Sequence, residues 1–170
     1  MKQFAMTRLL CYLLFILVAL NSCKSKMLHA GVTKVLSTGL KTTYKNLHPE
    51  NVILVMNGTT INDADIPLGE SFILVNDKTT GLEAKDGKHL VGCSLIIKDM
   101  NDQVLMNEPD LFEQTGTLEQ NETTVLRCTV NTGKPMEAGK KYHVVSTFWD
   151  KYGNGTIEND ITVKMTDPIH

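Results

Sequence analysis

"KKYHVVSTFWDKYGNGTIENDITVKM", residues 140–165, decides the fold class. Residues Tyr142, Val144, Ser146 and Phe148 alternate with His143, Val145, Thr147 and Trp149. That period of two sends successive side chains to opposite faces, as in a β-strand. Tyr142 and its set are expected to face inward, and Trp149 with Val145 and Thr147 outward. Gly153, Asn154 and Gly155 then supply turn chemistry, and the β-rich "ITVKM" begins at Ile161. A strand, a tight connection and a second strand follow from these residues alone.

Working outward, the same grammar repeats. "NVILVMNGT" ends in Asn57-Gly58, a hairpin-turn signal. "ESFILVND", "HLVGCSLIIKD", "QVLMN" and "TTVLRCTVN" are further runs rich in Val, Ile and Thr, separated by Gly, Asn, Asp and Lys. About seven strands over residues 50–170 predict an all-β antiparallel sandwich. No strong helical pattern falls between them, which disfavours a parallel sheet with crossovers. Gly139, Tyr142, Asp150, Gly153 and Asn154 together resemble the last two strands of bacterial immunoglobulin-like domains. The resemblance spans about 30 residues. It implies an immunoglobulin-like sandwich in which the Tyr142 hydroxyl bonds backbone at the preceding corner.

The N-terminal part reads differently. Lys2 and Arg8 precede the apolar run "LLCYLLFILVAL", Leu9 to Leu20, and Asn21-Ser22-Cys23 follow. A basic start, a short apolar core and a small-residue end describe a signal peptide over residues 1–22. The run is shorter than the ~20 residues that a membrane-spanning helix needs. Leu20-Asn21-Ser22-Cys23 resembles the lipobox of bacterial lipoproteins. The resemblance implies that Cys23 becomes the acylated N-terminus, anchoring the chain to a membrane that it does not cross. No aspartate follows the cysteine, which in that family points to the outer membrane, and no acidic run follows, which favours a periplasm-facing body. Residues 23–49 form a basic tether. Leu28, Val32, Val35, Leu36, Leu40, Tyr44 and Leu47, at three- and four-residue spacing, predict an amphipathic helix over 27–47, the alternative being a flexible linker.

Lysines 24, 26, 34, 41 and 45 have no acid among them, whereas residues 50–170 hold ten basic and 19 acidic residues. A basic tether is attracted to anionic headgroups. An acidic body excludes a nucleic-acid role, which needs a basic face. Cys93 and Cys128 each sit at an inward position of a predicted strand. They are either a buried disulfide closing a loop of about 35 residues or two packed free thiols.

Chemistry is sparse. No G-x-S-x-G, H-E-x-x-H or glycine-rich phosphate loop occurs, and the five histidines are scattered, none at ligand spacing from a cysteine. No enzymatic activity, cofactor or metal is expected. Asp150, Asn154 and Gly155 occupy positions 1, 5 and 6 of a calcium loop of EF-hand type, but Tyr152 and Ile161 stand where two ligands are needed. The turn is better explained by the positive φ angles of a tight hairpin. Trp149, Tyr152, Val145 and Thr147 form the candidate partner face. Two functions stay open: a non-catalytic envelope lipoprotein that acts as a protein-interaction module or subunit of an assembly, and a lipoprotein that stacks a glycan or small ligand on its aromatic face.

Overall fold

The computed structural model describes residues 30–169, all-β with no helix among them. Its strands are β1 (Ala30–Lys34), β2 (Lys41–Lys45), β3 (Asn51–Met56), β4 (Thr59–Ile61), β5 (Asp65–Pro67), β6 (Ser71–Asp77), β7 (Val91–Asp99), β8 (Val104–Glu108), β9 (Val125–Asn131), β10 (Lys141–Asp150) and β11 (Thr156–Thr166). The expected signal peptide and the lipidation site Cys23 lie outside the described residues.

Two sheets face each other. The larger has the order β1-β2-β11-β10-β7-β8, with β5 added alongside β11; the smaller has the order β4-β3-β6-β9. Every pairing is antiparallel except β5 with β11. Phe72, Leu74, Cys128 and Val130 of the smaller sheet pack against Cys93, Leu95, Val144, Phe148 and Ile161 of the larger, all in one buried cluster. The alternation in β10 places Tyr142, Val144, Ser146 and Phe148 inside, as the sequence predicts. The N–H of Glu137 donates to the Tyr142 hydroxyl at 2.8 Å, so the tyrosine ties down the corner that leads into β10. Asn57 and Gly58, with φ of 51° and 75°, make the two-residue turn between β3 and β4. Positive φ at both central positions is what a hairpin turn of that length demands.

Two expectations are corrected. The expected strands of residues 50–170 are β3 and β6 to β11, and the structure adds the short β4 and β5 and the hairpin β1–β2. From Ala30 onward, the stretch expected to be helical is strand. β2 pairs with β11 from Lys41↔Asp160 to Lys45↔Thr156, and β1 pairs with β2. The free backbone edge of β11 is satisfied by strand addition, which a helix could not offer. The apolar residues at helical spacing do not share a buried face: Leu40 and Leu47 are buried, while Val32 and Leu36 are 61% and 89% exposed. Gly39, at φ 75°, turns the chain between the two strands. The sandwich therefore begins at β1, ahead of the boundary expected at residue 50.

Candidate interaction surfaces

Val145, Thr147 and Trp149 run in file along the outer face of β10, as the alternation predicts, and all three are half-buried. Trp149 is opposite Gly92 of β7. A Cβ on Gly92 would run into the indole, 2.6 Å from Nε1, so the ring packs against the bare backbone of Gly92. The indole is thus a seated side chain, partly covered. Tyr152, also half-buried, lies in the turn after β10 rather than in the Trp149 file. The hairpin β1–β2 extends the sheet edge and does not cover this face.

The turn itself is built around Asp150. Its two carboxylate oxygens accept from the backbone N–H of Glu83 at 2.7 Å and of Tyr152 at 2.9 Å, and the residue is 4% exposed. A carboxylate with both oxygens engaged by backbone is a loop organiser. Glu158 and Asp160, the next acids along the chain, lie on the outer face of β11. None of Gly153, Asn154 and Gly155 has a left-handed φ, which corrects the expected origin of the turn. Space selects these glycines instead: a Cβ on Gly153 would collide with Asp150 Oδ2, and one on Gly155 would come within 2.5 Å of Leu47 Cγ.

Other titratable groups are used in the same way. Asp110 accepts from the N–H of Cys93 and Phe112 and pairs with the Lys151 ammonium at 2.6 Å. Burial acts to raise its pKa, but Lys151 and the two N–H donors outweigh it and hold the carboxyl below its ordinary value. Buried His89 bonds the Glu83 carbonyl and Gln120 through its two ring nitrogens. His143 is half-exposed and bonds Asp160 at 2.5 Å across the outer face of the larger sheet. Inside, Cys93 and Cys128 approach from the two sheets as thiols. The neighbouring Cys128 side chain and then burial push the Cys93 thiol up. A buried polar chain lies in the same core: Asn159 donates to Ser146, and Thr42 donates to Asn159 at 2.8 Å.

One surface was not anticipated. β8 is the outermost strand of the larger sheet, and Met100, Val104, Met106 and Leu111 on and around it are 61%, 51%, 37% and 41% exposed. A groove of about 250 Å³ lies beneath, lined by Ile97, Leu105, Met106, Pro135 and Met136 among others. The signal was present in "QVLMN". Val104, Leu105 and Met106 are consecutive apolar residues, and a strand with one inward face cannot bury all three.

No protein-family model and no curated protein matches the chain. The fold is an all-β sandwich. One solved structure with a similar fold, described as the crystal structure of the C-terminal domain of wzt, aligns over 85% of this chain and 81% of that chain, at 8% identity and a TM-score of 0.48.

Proposed function

We propose that this chain is a lipid-anchored, non-catalytic cell-envelope module of immunoglobulin-like type that docks a protein partner along the open edge of β8. The anchor rests on the lipobox-like Leu20-Asn21-Ser22-Cys23 and implies an outer-membrane, periplasm-facing position. The immunoglobulin-like assignment is supported by the Tyr142 corner. The docking reading is carried by β8, the outermost strand of its sheet, where exposed Val104 and Met106 lie on the strand and Met106 with Leu105 lines an apolar groove. An added strand from a partner would pair with such an edge and drop alternate side chains into the groove. A non-catalytic role agrees with the use of Asp150, Asp110 and His89 to shape loops.

The test is a pull-down from solubilised envelopes with the anchored chain, run beside a Val104→Lys/Met106→Lys variant and a Trp149→Ala variant. The expected result is a stoichiometric protein partner retained by the wild type and Trp149→Ala and lost from the β8 variant. A glycan ligand abolished by Trp149→Ala, with no β8-dependent partner, would replace this function with the glycan-binding one. Fractionation tests the anchor separately: Cys23→Ala should release the chain from membranes on washing with high salt.

A further inference from the structure

The outer face of the larger sheet carries twice as many lysines as acids on its strands. Strand register places Lys34 directly opposite Lys41 on β1 and β2, and Lys141 directly opposite Lys164 on β10 and β11. Like charges facing each other across a ladder are destabilising; on their other sides Lys41 faces Asp160 and Lys164 faces Asp65, while Lys34 and Lys141 face no acid in register. Lys45 and Lys98 lie on the same face, Lys98 paired in register with His143. Against these six lysines the strands of the face offer three acids, Asp65, Glu158 and Asp160. Lys34, Lys41, Lys45, Lys141 and Lys164 have no ion pair among the described residues. The chain as a whole has a net charge of −2. Six of the 13 Lys and Arg residues between 30 and 169 thus lie on one sheet face, which carries an excess of three positive charges, while the rest of the body is acidic. A depression of about 340 Å³ opens there between Lys34, Thr38, Lys41, Asp160 and Thr162.

We infer that this face lies against an anionic phospholipid surface, with lysines 34, 41, 45, 98, 141 and 164 above the headgroup phosphates. Lys34 and Lys141, each opposite a lysine and no acid in register, gain a counter-charge when phosphates stand beside them. Chain length points to the membrane rather than to a soluble polyanion. Cys23 precedes Ala30 by seven residues, so even a fully extended tether reaches only about 25 Å. It also enters the fold at the edge that carries Lys34, Lys41 and Lys45. The inference rests on the lipid-anchored reading for where the membrane is, and on the sheet register for which face meets it.

The test uses the processed chain from residue 23 with Cys23→Ser, so that no acyl chain contributes. Co-sedimentation is measured on vesicles of equal phosphatidylglycerol and phosphatidylcholine and on vesicles of phosphatidylcholine alone. Partitioning should be at least tenfold stronger on the anionic vesicles and should fall steeply with salt, because surface attraction is screened. Each lysine near the surface is worth about fivefold. The variant Lys34→Gln/Lys41→Gln/Lys141→Gln/Lys164→Gln should therefore drop to the phosphatidylcholine level, with a melting temperature no lower than the wild type's. Lys78→Gln/Lys88→Gln removes cations elsewhere and should bind as the wild type does. Equal partitioning on the two vesicle types overturns the inference, as does an equal loss in the Lys78/Lys88 control. Competition by millimolar inorganic phosphate at constant ionic strength also overturns it, in favour of a small-anion site. A negative result leaves the anchor standing, since fractionation of Cys23→Ala reads that independently.

Discussion

Gly92 and Trp149 show what a single position contributes. The outward direction of Trp149 was legible from the alternation of β10, but its cover was not. The residue beneath it belongs to β7, far away in sequence, and is set by strand register. Gly92→Ala would push a methyl into the indole. Overpacking of that kind costs about 1–3 kcal/mol. The variant should melt lower, with a shifted tryptophan emission because the ring is displaced; unchanged emission and stability would mean that the indole is not seated on Gly92. Asp110 gives a second prediction at this scale. Its folded-state pKa is depressed by Lys151 and the N–H groups of Cys93 and Phe112. A depressed carboxylate contributes stability above its unfolded pKa of about 3.9 and loses it as pH falls through the lower folded value. The wild type should therefore be more stable than Asp110→Asn at neutral pH. The gap should narrow below about pH 4 and close when the carboxyl is protonated in both states. Melting curves across pH check this; a gap independent of pH would assign the Asp110 contribution to packing.

At the scale of elements, long alternating segments were legible and short or edge-dependent ones were not. The main strands announced themselves by β-branched runs between turn residues. β4 and β5, three residues each, carry too little pattern to stand out. The N-terminal hairpin was misread because Leu36, Leu40 and Leu47 fit a helical spacing, while the deciding fact, an open β11 edge, lies more than a hundred residues on. The two descriptions differ in a measurable way. A helix would place Leu36 and Leu40 on one face, so that truncating either would matter. In the hairpin Leu40 is 1% exposed and Leu36 is 89% exposed. Leu40→Ala should cost about 2–5 kcal/mol, and Leu36→Ala less than about 0.5 kcal/mol. Urea denaturation distinguishes them, and similar costs at both sites would refute the hairpin.

For the whole molecule, the quantity hidden from sequence was which strands face each other across the core. Inward positions for Cys93 and Cys128 followed from alternation. Their meeting depends on β7 of the larger sheet crossing over β9 of the smaller, which no local pattern encodes. The two thiols lie on facing sheets in one buried cluster. Two thiols release two protons and two electrons on bridging, and a thiol–disulfide oxidoreductase of the kind found in oxidising compartments takes up the electrons by reduction of its own disulfide. Both residues are about 1% exposed or less, so the exchange belongs to folding, before the sheets close. Linking them constrains a loop of about 35 residues in the unfolded chain, worth roughly 3–4 kcal/mol. For a domain of this size that corresponds to about 10 °C in melting temperature. The chain matured in an oxidising compartment and carrying Cys23→Ser should therefore show no free thiol when titrated in denaturant. It should melt about 10 °C lower after reduction, whereas Cys128→Ser should already melt at the lower temperature and not respond to reductant. Two titratable thiols per chain would establish instead that the sandwich is held by packing alone, with Cys93 and Cys128 serving as small apolar side chains.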